Sequence, residues 1–409
     1  MFTLLADKAV SEHETSVTVK NNVHVLNSAI IYGRNASGKS NLLKAIAALQ
    51  YLVIDSSNFK VGSKIPQYQP YKLDVNNQKQ PTEFKIEFIA RDDIKYRYEV
   101  SFTEKMIEYE ILYFYPHSQP ARLFERIGMN IVYGEKLTGR KKEIEDTLYE
   151  NQLYLSKVGS DKLPALFQPY TFFSQSLFAY LDHDVSMENV LISSYSSRLG
   201  NEKHQQFNEN LTKLIRAADI NIESFIFRET SFTENDLPEG MNKIERRALA
   251  DRFRFKASTK HKLFDQENEI GTTELNLYDQ STGTLKLILV GGLIIEALKD
   301  GQTLLIDELD KSLHPKLTKA LIMLFNDPKK NPNQAQLIFA THDVSLLDSD
   351  VFRRDQIWLS EKEYRGCSHY YTVADIAGVR KDTPLEKWYM NGRFGGTPVI
   401  SDQDINFEF

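Results

Sequence analysis

The stretch Gly33-Arg34-Asn35-Ala36-Ser37-Gly38-Lys39-Ser40 spaces two glycines, a lysine and a hydroxyl as G-x-x-x-x-G-K-[ST]. Such a loop can wrap a phosphate with inward-pointing backbone N–H groups, because glycine tolerates the unusual backbone angles that the wrap demands. Lys39 supplies a cation for β- and γ-phosphates, and the Ser40 hydroxyl a ligand for Mg²⁺. Asn35, Ala36, Ser37, Gly38 and Asn41 complete the cradle. A second chemical group lies far downstream, where Leu304-Leu305-Ile306 ends in Asp307-Glu308. Asp307, emerging at a strand's carboxyl end beside the loop, can hold Mg²⁺ through its water shell. Glu308 can orient or deprotonate an attacking water. His342 closes the next apolar run, where an imidazole can reach a γ-phosphate. The catalytic candidates are therefore Lys39, Glu308 and His342, and the metal candidates Ser40 and Asp307.

These groups need elements to hold them. Ala29-Ile30-Ile31-Tyr32 reads as a buried strand entering the loop, and Leu42, Leu43, Ala45, Ile46 and Leu49 mark the helix leaving it. Thr303–Ile306 and Gln336–Ala340 are short continuous apolar runs, as parallel strands covered on both faces should be, with a helical segment from Pro315 to Phe325 between them. Gln280-Ser281-Thr282-Gly283-Thr284 precedes an apolar helix from Leu285 to Leu298. Ser281 and Gly283 at that start offer a further anion site.

Between these halves the texture changes. Thr82–Ile89 and Lys95–Phe102 alternate with a two-residue period, and Ile107–Tyr115 continues the pattern, predicting an antiparallel lobe over about 70–135. Residues 136–270 read as a mostly helical insertion, with an amphipathic helix at Asn208–Ala217 and a solvated charged stretch at Lys243–Arg247. The expected fold is α/β: a P-loop NTPase built from 1–135 and 271–409, carrying the antiparallel lobe and the helical insertion.

With 41% apolar and 26% charged residues and a net charge of −6, the chain reads as globular and carries no global basic field for nucleic acid. One cysteine, Cys367, excludes an internal disulfide framework and fits a reducing compartment. The N-terminus lacks a secretory pattern, and the apolar run Leu287–Ile295 is too short to span a bilayer, so a cytoplasmic location is expected.

The order of phosphate loop, Ser-x-Gly-Thr before a helix, apolar-Asp-Glu, Leu313-His314-Pro315 and apolar-Thr341-His342-Asp343 resembles the ABC-type ATPases, including the SMC, RecF and overcoming-lysogenization-defect (OLD) groups. Tyr32–Leu42, Asp307–Pro315 and Ala335–Asp343 resemble most closely the bacterial AAA15-type, AbiLi-like abortive-infection ATPases. Arg353–Trp358 and Gly392–Pro398 look like C-terminal signatures of that group. By this resemblance Ser281 and Gly283 belong to a signature loop, Asp310 and His314 to a D-loop, and His342 is the switch histidine. It implies Mg-ATP hydrolysis in a head-to-tail dimer or higher oligomer, each ATP held between one subunit's phosphate loop and the other's signature loop. It also implies an antiviral role controlling a separately encoded effector. Roughly 65 residues follow His342, too few for the nuclease domain that OLD-type relatives carry, so a nuclease would be another chain. The sequence departs from the pattern in two ways: only 32 residues precede Gly33, and no Q-loop glutamine stands out, with Gln67 and Gln69 as weak candidates. The alternative is a RecF- or SMC-like ATPase clamping DNA, with Arg246, Arg247, Lys256, Lys260 and Lys262 lining the groove.

Overall fold

The computed structural model describes residues 1–159, 163–181, 185–198, 205–218, 221–238, 240–241, 246, 249–250 and 255–397. An antiparallel hairpin of β1 (Val17–Lys20) and β2 (Val23–Leu26) leads into a central six-stranded sheet. Its parallel strands are β3 (Ser28–Tyr32), β9 (Leu177–Tyr180), β13 (Thr303–Ile306), β14 (Gln336–Ala340) and β15 (Ile357–Lys362), with β16 (Ser368–Thr372) antiparallel at one edge. The spatial order is β16-β15-β3-β14-β13-β9. Numbered along the chain, the parallel strands therefore lie 5-1-4-3-2, and β14, the strand that leads to His342, separates the phosphate-loop strand from the Asp307 strand.

Apolar side chains alternate between two cores, as a two-residue pleat requires. Ile30, Leu304, Ile306, Leu337 and Phe339 join one core with the helices Thr282–Asp300 and Pro315–Asn326. Ala29, Ile31, Leu305, Ile338 and Ala340 face the other, with the helix Lys39–Asp55 and the antiparallel lobe. Both faces of the sheet are covered, which explains the unbroken apolar runs.

That lobe is a five-stranded meander of β4 (Thr82–Ile89), β5 (Lys95–Phe102), β6 (Ile107–Tyr115), β7 (Ala121–Ile127) and β8 (Asn130–Tyr133). The alternation is visible in β5, where Tyr96, Tyr98, Val100 and Phe102 are buried. Beneath it, Glu110 and Arg126 are completely buried.

The expectation of a mostly helical 136–270 is corrected in two places. Helices occur, including Val185–Arg198 and the expected amphipathic one, observed at Gln205–Ala218 with Phe207, Leu211 and Ile215 buried. The segment also contributes β9, an inner-sheet neighbour of β13, and the strands β10 (Ile222–Glu229) and β11 (Phe255–Asp265), which form a second antiparallel sheet with β12 (Asn268–Asn276). Of the charged stretch at 243–247, only Arg246 lies within the described residues. No helix of the described residues is long and apolar enough to cross a membrane.

Candidate functional site

Three strand ends meet at the carboxyl edge of the sheet. Ile31 pairs with Ala340, and Phe339 with Ile306, so Gly33, Thr341 and Asp307 emerge together. Because β14 intervenes, Asp307 does not emerge directly beside the loop but two interstrand spacings away, about 9–10 Å. The sequence could not reveal this, since chain order does not dictate strand order.

The phosphate loop has the expected backbone. Ala36 lies at φ 61° and Gly38 at φ 111°, and Gly38 caps the helix Lys39–Asp55. Lys39 is folded back over its own loop, donating to Gly33 O at 2.7 Å and Arg34 O at 3.3 Å. Burial lowers its pKa to about 8, against the opposing pull of Asp307, Glu308 and Asp310. Those opposing pulls place the three carboxylates within electrostatic reach of the ammonium. Ser37 is buried with its Oγ unpartnered. Ser40 and Asn41 follow in the first helical turn, and Asn35 is exposed at the loop's crest.

On the acidic side, Asp307 is 7% exposed, and its Oδ1 is buried without a hydrogen-bond partner. Its backbone N–H donates to Tyr180 O at 3.1 Å, so β9 fixes the carboxylate's base. Glu308 sits at φ 50° and Ser312 at φ 64°, left-handed positions that ordinary residues adopt at a cost. Glu308 Oε2 lies 3.3 Å from Lys311 Nζ. Asp310 Oδ1 is also buried and unpartnered. His342 is held below the usual imidazole pKa by burial and by Lys39, with Asp310, Glu308 and Asp307 pulling the other way. His314 does not join this group; its Nδ1 accepts from Lys316 N–H at 3.2 Å and caps the helix Pro315–Asn326.

The Ser281 hydroxyl caps the helix Thr282–Asp300, accepting from Thr284 N–H at 3.0 Å. Gly283 presses against the Asp307–Leu313 turn: a Cβ there would lie 2.5 Å from Ser312 O. The loop is thus placed against Asp310's turn within one chain. Gln67 and Gln69 precede β4; the Gln69 N–H donates to Thr82 Oγ1 at 3.3 Å, placing that residue at the lobe's edge strand. Of the basic residues named for a DNA groove, Lys262 is engaged by Glu269 at 3.0 Å and Arg246 donates to Glu234 O at 2.7 Å; Arg247 and the Lys256 side chain lie outside the described residues.

Motif reading missed a third group. The Tyr370 hydroxyl donates to Gly38 O at 2.7 Å, and Ser360 Oγ to Ser37 O at 3.0 Å. Tyr389 stacks obliquely on Tyr32 with ring centroids 5.7 Å apart, and a Cβ on Gly396 would lie 3.8 Å from Gly33 Cα. The Gly392–Pro398 pattern hinted at this wall, though not at the tyrosines. Arg353, from the other C-terminal pattern, is instead architectural. It pairs with Asp355 at 2.8 Å and donates to Glu12 O and Val10 O, tying the chain's start to the sheet.

Residues 28–348 match the family described as "AAA domain, putative AbiEii toxin, Type IV TA system". The chain belongs to this AAA-domain family. The match spans the phosphate loop, the acidic pair and His342, and stops short of the Tyr370 wall. No curated protein matches the chain. Among solved structures, this AAA-domain chain is similar to an SMC head bound to the C-winged helix domain of ScpA, at 14% identity over 85% of this chain and 91% of that one, with a TM-score of 0.40. The SMC head domain from Thermotoga maritima gives 14% identity, 85% and 90% coverage and a TM-score of 0.36. The Smc head domain with an extended coiled coil, bound to the C-terminal domain of ScpA and derived from Pyrococcus furiosus, gives 12%, 85% and 91%, and 0.38.

Proposed function

We propose that this AAA-domain protein is an ABC-type ATPase that binds and hydrolyses Mg-ATP at the carboxyl edge of its central sheet. The observation that carries the reading is the buried, unpartnered Asp307 Oδ1 in electrostatic reach of Lys39, with a glycine cradle across one intervening strand. A buried carboxylate oxygen left without a donor costs stability unless a cation or water completes it. Among the described residues no cluster of three or more His, Cys, Asp or Glu forms a metal site. Mg²⁺ is commonly held through one or two protein oxygens plus substrate phosphates.

In this reading Ser40 and Asp307 hold the metal, which when bound neutralises charge on the phosphate oxygens. Lys39 exchanges its loop carbonyls for phosphate oxygens. Asn35, Ala36, Ser37, Gly38 and Asn41 line the cradle. Glu308 orients the attacking water and takes its proton, and the largely neutral His342 imidazole donates toward the γ-phosphate. Ser281, Gly283 and Asp310 serve a second copy's ATP, giving the head-to-tail dimer or higher oligomer. The unit performing this comprises 1–135 and 271–409, with 136–270 lending β9 to its sheet. The finer assignment, to the AAA15-type group and to cytoplasmic antiviral regulation of a separate effector protein, rests on the motif resemblance. The DNA-clamp alternative draws less support, because Lys262 already faces Glu269 within its own sheet.

Calorimetric titration of the purified protein with ATP and Mg²⁺ tests the central claim; an empty protein that takes up neither defeats it. Ser281→Arg tests the dimer: ATP binding persists while turnover and the ATP-dependent shift in gel filtration disappear.

A further inference from the structure

We propose that Tyr370 is a positioning residue for the nucleotide, acting through the Gly38 carbonyl; this rests on the ATP-binding reading above. The hairpin of β15 and β16 runs along the phosphate loop and meets it at Arg34, Ser37 and Gly38. Arg34 Nη2 donates to Lys362 O at 3.1 Å, Ser360 Oγ to Ser37 O at 3.0 Å, and Tyr370 Oη to Gly38 O at 2.7 Å. The approach is close. A Cβ on Gly33 would lie 2.4 Å from Ser360 O, and one on Gly38 2.3 Å from Ser368 Oγ. The two motif glycines thus answer to the hairpin as well as to a phosphate.

The consequence follows from peptide geometry. In a trans peptide the carbonyl and the next residue's N–H point in opposite directions. Holding Ser37 O toward Ser360 turns the Gly38 N–H the other way, and holding Gly38 O toward Tyr370 does the same for the Lys39 N–H. Those are the donors that a phosphate in the loop requires. Gly38 O also accepts from Leu42 N–H at 3.1 Å, so the carbonyl that Tyr370 fixes is the one that opens the helix. Tyr370 and Ser360 therefore set the direction of two amides before any ligand arrives, and the nucleotide need not order them.

The test is calorimetric titration of ATP and ADP with Mg²⁺ into the wild type, Tyr370→Phe, Ser360→Ala and Tyr371→Phe. Loss of one such hydrogen bond is expected to weaken both nucleotides about three- to tenfold in Tyr370→Phe. A similar loss is expected in Ser360→Ala, with KM raised and kcat little changed in both. Tyr371 lies on the same strand but donates to Phe394 O at 2.7 Å, so Tyr371→Phe should bind as the wild type does. A merely structural role predicts lowered melting temperatures with unchanged dissociation constants in all three variants. Should Tyr370→Phe not fold, Ser360→Ala decides alone. Wild-type affinity in both loop variants overturns the positioning role and leaves ATP binding standing; a wild type that binds no nucleotide overturns both.

Discussion

Among the described residues, two of the buried clusters of charge are finished differently. In the antiparallel lobe, Glu110 receives Tyr98 Oη at 2.7 Å, Leu155 N–H at 2.9 Å and Tyr154 N–H at 2.7 Å, with Arg126 Nη1 at 3.6 Å. Arg126 in turn donates to Gly128 O, Gln152 O, Tyr149 O and Glu150 O. At the sheet's carboxyl edge, by contrast, Ser37 Oγ, Asp307 Oδ1 and Asp310 Oδ1 are buried with no partner. A low-dielectric interior penalises the open cluster and rewards the closed one. The chain can close such a network, and does so where it staples the lobe to the helical segment. Where it leaves one open at the sheet's edge, the nucleotide and divalent cation proposed above would bring the missing partners.

The contrast can be broken by substitution. The largest effect is expected from Glu308→Gln: turnover falls about 10²–10⁴-fold while ATP stays bound, read by phosphate release beside calorimetry. Undiminished hydrolysis would remove Glu308, beside the open cluster, from the chemistry. Next, Glu110→Ala strands the Arg126 guanidinium and should cost about 3–5 kcal/mol in denaturant unfolding, with ATP affinity of the folded protein unchanged. Asp307→Asn is the counterpart. It relieves repulsion from neighbouring carboxylates, so stability should stay the same or rise by up to about 1 kcal/mol, while the Mg²⁺ dependence of ATP binding is lost. A destabilisation rivalling that of Glu110→Ala would erase the distinction. The smallest effect concerns Lys39. Its pKa of about 8 in the free protein lies below the ordinary lysine value, and bound phosphate raises it. The complex then carries more protons than the free protein above pH 8, so ATP affinity is full below that pH and declines as pH climbs. Titrations at pH 8.5 in buffers of differing ionisation enthalpy should show net proton uptake of less than one per ATP; release would contradict the assignment.

The features legible in the sequence were those written in continuous local patterns. The apolar runs of β3, β13 and β14 reflect strands covered on both faces, whereas the alternation of β5 and the stripe Phe207, Leu211, Ile215 each reflect one element meeting one core. Leu177–Tyr180 is as short and apolar as β13, but it runs straight out of the helical turns at Pro164–Thr171 and Phe172–Ser176, so β9 reads as part of a helical excursion. The β10–β11 pair was hidden for another reason: its strands are joined by a long connection and carry many charges, blurring any alternation. The site divided along similar lines. Phosphate loop and acidic pair announce themselves through fixed local spacing, whereas Tyr370 meets Gly38 across 332 residues and belongs to no motif.

The tight seat of Gly283 against Ser312 O has a consequence for how this protein can vary. With no room for even a methyl group, the first turn of the helix Thr282–Asp300 and the turn after β13 cannot be remodelled separately. Gly283→Ala should therefore displace Asp310 as well, and a lineage that altered one of these turns would have to alter the other in step.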